Sequence, residues 1–338
     1  MKKRKYKILV TGVAGFLGSH LADKLSKLGH EVLGVDNMVG GYKDNISKEI
    51  EFFNIDCCDF QKIKKIMKDI DIVYHCAATA HEGLSVFSPF QITKNNYLAS
   101  ISIFSAAINE KVKRIIFCSS MARYGDQKTP FREDMQTRPI DPYGISKVAA
   151  EQVLQNLCDL NNIEWVIAVP HNIIGPKQIY DDPYRNVVSI FLNRMLQGKP
   201  PIIYGDGEQK RCFSYIDDCL FCLNALAFND NVVGEVINIG PDEEPVTINE
   251  LAEACANETG VNLDPIHHKD RPKEVKLATC SSEKARKLLD YKKSTNMRQT
   301  EKKTAEYIRT RGTKKFQYHL PLEIINEHTP DTWKNKLI

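Results

Sequence analysis

The chain has 338 residues, 42% of them hydrophobic and 26% charged, with 46 basic and 43 acidic side chains and a formal net charge of +3. This is an ordinary globular composition, long enough for one large or two small domains, and its near-neutral balance gives no case for nucleic acid or an anionic membrane as partner. No apolar run approaches the roughly 18 residues of a membrane-crossing helix. The basic start, Lys2-Lys3-Arg4-Lys5, has no apolar segment behind it and reads as a solvated terminus rather than an export signal.

The apolar run Ile8 to Val10 predicts a buried strand, and Ser19 to Leu28 a helix, with Gly12, Gly15 and Gly18 between them. Gly12 turns the chain at the strand end, Gly15 lets backbone approach a pyrophosphate, and Gly18 lets helix and sheet pack closely. The helix N-terminus, through Phe16 and Leu17, then offers free N–H groups to phosphate. Alone, the triplet also fits a plain tight connection. The next predicted strand, Glu31 to Asp36, ends in an acid eighteen residues past Gly18, where a carboxylate accepts from an adenosine ribose and repels a 2′-phosphate. The cofactor expected is therefore NAD rather than NADP.

A polar loop from Asn37 leads to a third strand, Glu51 to Asp56, and a helix over Phe60 to Lys68. Asp71 to Ala78 reads as a fourth strand whose small end residues, Ala77 and Ala78, leave room for a cofactor. A helix over Asn96 to Asn109, a strand over Arg114 to Ser120, a helix over Tyr143 to Leu157 and a strand over Trp165 to Val169 follow. Such alternation implies a doubly wound parallel sheet with ligands beyond its carboxyl edge. From Pro170 the pattern loosens, although Val236 to Gly240 reads as one more strand and Ile248 to Thr259 as a helix. We expect a dinucleotide-binding domain of residues 1–171 plus 213–243, capped by a smaller domain of residues 172–212 plus 244–338.

The ten cysteines fall mostly in apolar contexts, as at Cys76, Cys118, Cys158, Cys219, Cys222 and Cys255, and read as reduced core residues of a cytoplasmic protein. Cys219 and Cys222 have no second pair at matching spacing, so they favour packing over zinc, and no metal is expected.

Tyr143 and Lys147, four apart on a predicted helix, share one face. A phenol is a poor base at neutral pH, but an ammonium and a nicotinamide cation beside it would lower its pKa, letting it take a proton from a sugar hydroxyl as hydride leaves the same carbon. In isolation such a pair is usually a surface pairing. Here it follows a strand ending in Ser119-Ser120, downstream of the glycine fingerprint.

Together these motifs resemble the extended short-chain dehydrogenases/reductases of the nucleotide-sugar epimerase/dehydratase family. The resemblance runs through Thr11 to Gly18, Asp36-Asn37, Asp56, His75 to Ala78, Asn96, Ser119 to Gly125, Tyr143 to Lys147, Asn172 to Pro176, Lys210 to Asp218 and Arg271 to Ala285. It implies a Rossmann-type sheet with a smaller mixed α/β substrate domain, and a homodimer through the Asn96–Asn109 and Tyr143–Leu157 helices. It also implies Tyr143 as base, Lys147 as its modulator and nicotinamide-ribose ligand, and Ser120 as a second hydroxyl on the reacting oxygen. Asp56 would meet adenine, and Ala77, Ala78 and Asn96 the cofactor's inner half. On the substrate side it implies Asn172, Arg211 and Arg271 at a diphosphate, Tyr204 against the base and Glu274 on its ribose, with Asn186 and Ser85 as further contacts. For each arginine alone, a surface ion pair is the plainer reading.

Departures guide the choice of reaction. Where dehydratases of the family carry Thr-Asp-Glu, this chain has Ser120-Met121-Ala122, without the acid and base that elimination needs, and decarboxylating relatives carry a glutamate where Ala122 stands. The expected reaction is 4-epimerisation of a UDP-hexose through a transient 4-ketone. A dehydratase or 4-keto reductase is the competing reading, and a non-catalytic binding protein the third. Cys212 and Val169 depart from the usual aspartate and arginine. Ala278 replaces a bulky tyrosine of glucose-restricted relatives, which leaves room for an N-acetyl or a carboxylate. His81 and Glu82 are unusual for the cleft, as sugar contacts or as a loop-stabilising pair.

Overall fold

The apolar runs of the first half pair side by side. In the computed structural model, which describes residues 4–242, 245–272 and 274–338, they form one seven-stranded, all-parallel sheet. In chain order come β1 (Lys7–Thr11), α1 (Phe16–Lys27), β2 (Glu31–Asp36), β3 (Glu51–Asn54), α2 (Phe60–Ile66) and β4 (Ile72–His75). Then follow a π-helical turn (Lys94–Leu98) running into α3 (Ala99–Asn109), β5 (Arg114–Cys118), α4 (Pro142–Asn161) and β6 (Glu164–Pro170). The second half adds α5 (Val187–Met195), α6 (Ile216–Ala225), β7 (Glu235–Ile239), α7 (Ile248–Thr259) and α8 (Met297–Arg311). The sheet order is β7-β6-β5-β4-β1-β2-β3, a Rossmann-type arrangement whose switch point lies between β1 and β4.

Both faces of the sheet are covered, which is why its strands read as continuous apolar runs. Successive side chains point to opposite faces. Leu9, Ile115 and Ile167 enter one core with Ile63, Phe104 and Leu154 of α2, α3 and α4. Ile8, Val10, Ile116 and Val166 enter the other, with Leu21 of α1 and Leu223 of α6. A third core, including Phe191, Leu251 and Ile308, joins α5, α7 and α8. Arg4 and Lys5 are exposed, whereas Lys2 and Lys3 lie outside the described residues. No helix among the described residues is long and apolar enough to cross a membrane.

Among the boundaries that differ from expectation, three have clear local reasons. β4 stops at His75 because the next residues turn over the glycine loop, where the Ala77 amide donates to Thr11 Oγ1 at 3.1 Å. His75 itself spans Thr11 Oγ1 and Ser100 Oγ, each at 2.8 Å, and burial holds its imidazole neutral, with a pKa near 3. α4 begins before Tyr143 because Asp141 caps it, accepting from the Gly144 amide at 2.9 Å, with Pro142 in the first turn. β3 is shorter than expected, ending at Asn54, so Asp56 stands in the loop beyond the sheet edge.

Arg114 is fully buried and ties β5 to β6 and to the turn after α6. Its guanidinium reaches Glu164 at 2.7 Å, the Leu226 and Asn229 carbonyls at 2.9 and 3.0 Å, and Asp230 at 2.8 Å. Arg114→Met would strand those carbonyls while the outer carboxylates stay hydrated. Denaturant titration is expected to read a loss of about 2–4 kcal/mol.

Candidate active site

The carboxyl ends of the central strands open into a cleft of about 480 Å3. Its floor is the glycine turn. Gly12 has φ +73°, and a side-chain carbon there would stand 2.9 Å from Ala77 backbone; at Gly18 it would stand 2.2 Å from the Gly12 carbonyl oxygen. Backbone fills both places, so only glycine fits. Gly15 caps α1 without a side-chain bond, which leaves the first-turn amides of Phe16, Leu17 and Gly18 for an anion. Asp36 closes this end. It accepts from the Ala14 and Met38 amides at 3.0 and 2.7 Å, and burial pushes its carboxyl up. Each oxygen keeps a lone pair for a ribose hydroxyl. Asn37 and Asp56 stand beside it, 3.5 Å apart, with Asp56 also accepting from the Cys58 amide. Ala77 and Ala78 line the same wall. A glycine cradle, a free helix N-terminus and an acid at the ribose position together fit a dinucleotide.

Ser120, Tyr143 and Lys147 come together in the wall of the cleft. Lys147 Nζ donates to the Cys118 carbonyl at 2.9 Å, and burial lowers its pKa to about 8. Tyr143 is 6% exposed; burial pushes its phenol up, opposed first by a hydrogen bond with Ser120. Lys147 Nζ is 6.0 Å from the Tyr143 ring centre and points to a carbonyl, so desolvation wins. Ser119 lines the cleft, but its hydroxyl is committed to Glu151, which pairs with Arg123 at 2.9 Å.

The far half gathers the expected substrate residues. Arg271 forms a two-pronged pair with Glu274 at 3.0 and 2.9 Å and lies 4.8 Å over the Tyr204 ring. Arg211 stands 4.0 Å from Glu274. Asn172, with φ +43°, donates to the Cys212 carbonyl at 3.0 Å, and Asn186 caps α5 through the Val188 amide at 3.0 Å. All six line the cleft.

Three expected contacts fall outside it. Asn96 is fully buried and holds Thr79 through both its amide and its carbonyl, at 2.9 and 3.1 Å, so it shapes the cleft wall from behind. Ser85 is fully buried, bonded to the Glu82 carbonyl at 2.6 Å and to Asp141 at 3.3 Å. Ala278 pairs with Arg211 across two short strands, and its methyl belongs to the main core with Cys280.

Two cleft residues change the sequence-based picture. Arg185, which the sequence reading passed over, donates to the Ala80 carbonyl at 3.3 Å and acts electrostatically on Tyr143. A single arginine in an acidic loop carries no periodic signal that would single it out. Glu82, expected either to touch the sugar or to pair with His81, lines the cleft, and it is Asp182 rather than Glu82 that pairs with His81. Glu82 is exposed to the cleft yet enclosed by protein, and desolvation, then Asp141, raise its pKa to about 7. His81 beside it is buried and pairs with Asp182 at 2.8 Å. None of the ten cysteines is joined in a disulfide, and no described group of three or more His, Cys, Asp or Glu is arranged for a metal.

Comparison with known proteins identifies the family and the fold. Residues 8–240 match the model of the NAD dependent epimerase/dehydratase family. A putative UDP-glucose 4-epimerase of Methanocaldococcus jannaschii is 37% identical over 273 residues, 79% of this chain and 87% of that protein. A UDP-N-acetyl-alpha-D-glucosaminuronate decarboxylase of Bacillus cytotoxicus is 35% identical over 262 residues, 75% of this chain and 79% of that one. The crystal structure of the Thermotoga maritima UDP-glucose 4-epimerase with UDP-glucose superposes with a TM-score of 0.84 at 32% identity, covering 90% of this chain and 99% of that chain.

Proposed function

Because this chain belongs to the NAD dependent epimerase/dehydratase family, we propose that it is a nucleotide-sugar 4-epimerase acting on a UDP-hexose through a transient 4-ketone. The observation that carries the reading is that Ser120, Tyr143 and Lys147 line the same cleft as the glycine cradle and as Arg211 and Arg271. A nucleoside diphosphate held by the arginines would present its hexose to the phenol. Guanidinium suits that task, since its fork bonds diphosphate oxygens in pairs.

Bound NAD supplies the acceptor and later the donor of the C4 hydride. Tyr143 takes the C4 hydroxyl proton and returns it. Ser120 holds the same oxygen. Lys147, with a pKa near 8, is largely protonated at neutral pH and stabilises the phenolate once burial is offset by the cofactor's cation. Asp36, Asn37 and Asp56 seat the adenosine half, with Gly12, Gly15 and Gly18 under the pyrophosphate.

Dehydration is the second reading, and Glu82 is the observation that favours it. Elimination across C5 and C6 needs an acid and a base, however. Ala122 packs in a small core with Ile92 and Tyr143, and Met121 against the main core, so neither supplies the missing partner.

The test is incubation of the purified protein with a panel of UDP-, GDP- and dTDP-sugars and no added cofactor. Interconversion of 4-epimers without net change in nicotinamide absorbance is expected. A stoichiometric requirement for NADH, or an accumulating 4-keto-6-deoxy sugar, would overturn the reading.

The same reading assigns residues 1–171 plus 213–243 to NAD and residues 172–212 plus 244–338 to the nucleotide sugar. A homodimer through α3 and α4 is supported by the exposed Leu98 and Ile145, both 53% accessible, beside and on those helices. The ten unbridged cysteines support a reducing, cytoplasmic setting.

A further inference from the structure

Glu82 opens a short helix, Glu82–Ser85, that the surrounding structure holds firmly. His81, just before it, is locked to Asp182, whose other oxygen accepts from the Tyr184 amide at 2.9 Å. Ser85, at its end, bonds the Glu82 carbonyl and Asp141, the cap of the helix that carries Tyr143. On its other side the segment lies against the anion-binding arginines: a methyl on Gly83 would touch Arg271 Nη1 at 3.6 Å. The backbone thus stations Glu82 between the phenol and the guanidinium pair. That is the stretch a hexose must occupy if its diphosphate meets the arginines and its C4 meets Tyr143.

The Glu82 carboxylate has no hydrogen-bond partner among the described residues, although it stands open to the cleft. Asp141, Arg211, Arg271 and Glu274 act on it electrostatically, and it acts in turn on Tyr143. Arg271 is already engaged by Glu274, so neither arginine claims this carboxylate at hydrogen-bond range. An unpaired acceptor beside a sugar subsite asks for donors.

We propose that Glu82 determines sugar specificity: its carboxylate accepts from hydroxyl groups of a neutral hexose and repels a hexose that carries a carboxylate. The proposal rests on the nucleotide-sugar reading and narrows it, because the substrate class becomes neutral hexosyl nucleotides rather than uronates. Discrimination of this kind works by penalising the wrong partner as well as by bonding the right one. Since the group titrates near pH 7, repulsion of a uronate grows as pH rises through that value.

The test compares UDP-glucose with UDP-glucuronate on the NAD-loaded protein, by kcat/KM and by calorimetric binding, on either side of pH 7. Wild type is expected to favour UDP-glucose, more strongly at the higher pH. Glu82→Gln and Glu82→Ala should each narrow that preference by about tenfold and flatten its pH dependence. An unchanged ratio in both variants, or a wild type that favours the uronate, overturns the proposal. The binding arm separates the two readings. Discrimination that shifts with Glu82 in a protein that does not epimerise would sink the 4-epimerase reading and leave this one standing.

Discussion

Tyr143→Phe is expected to lower kcat by about 10²- to 10⁴-fold, the usual contribution of a positioned proton-transfer group. The substitution keeps the ring in its buried place and removes only the oxygen that bonds Ser120 and faces the cleft. NAD content, UDP binding and thermal stability should therefore stay near wild type. Without the phenol the groups left at the reacting oxygen are the Ser120 hydroxyl, a weak base, and the Lys147 ammonium, which has no lone pair to take a proton. Steady-state kinetics beside calorimetric UDP binding would check this. A variant that retains turnover would remove Tyr143 from the chemistry.

Gly18→Ala should strip the protein of its cofactor. The added methyl would lie 2.2 Å from the Gly12 carbonyl oxygen and 2.7 Å from its carbon. Neither is the tip of a flexible side chain, so α1 must retreat from the turn. Overpacking of this kind costs about 1–3 kcal/mol, and the retreat also displaces the amides of Phe16 and Leu17 that would meet the pyrophosphate. Protein purified from this variant should carry little NAD and melt below wild type. Denaturing release of nicotinamide nucleotide, measured against protein concentration, gives the answer, and full occupancy would show that helix and turn need not touch.

Much of the fold was legible because the sheet is covered on both faces, which writes each strand as a short apolar block between helical periods. The glycine spacing and Asp36 carried the cofactor end for a physical reason: backbone occupies the space at Gly12 and Gly18, so no other residue type can stand there. Less was legible where roles depend on partners distant in sequence. Asn96 and Ser85 have residue types suited to a ligand, yet their polar atoms are spent on Thr79, Asp141 and the Glu82 carbonyl. In the two-residue strand Leu277–Ala278, a shift of one position decides which side chain enters the core. Leu277 is exposed and Ala278 buried, and Ala278 does not line the cleft. Glu82 was visible as an oddity, but its place between phenol and guanidinium came only from the tertiary ties of its helix.

The central claim is that hydride leaves C4 and returns to it within one closed site, with no elimination. Turnover of a UDP-hexose in heavy water, followed by nuclear magnetic resonance, tests it most directly. A 4-epimer free of carbon-bound deuterium is the predicted product, because no carbon exchanges a proton with solvent. Deuterium on C5 or C6 of a 4-keto product would contradict the account.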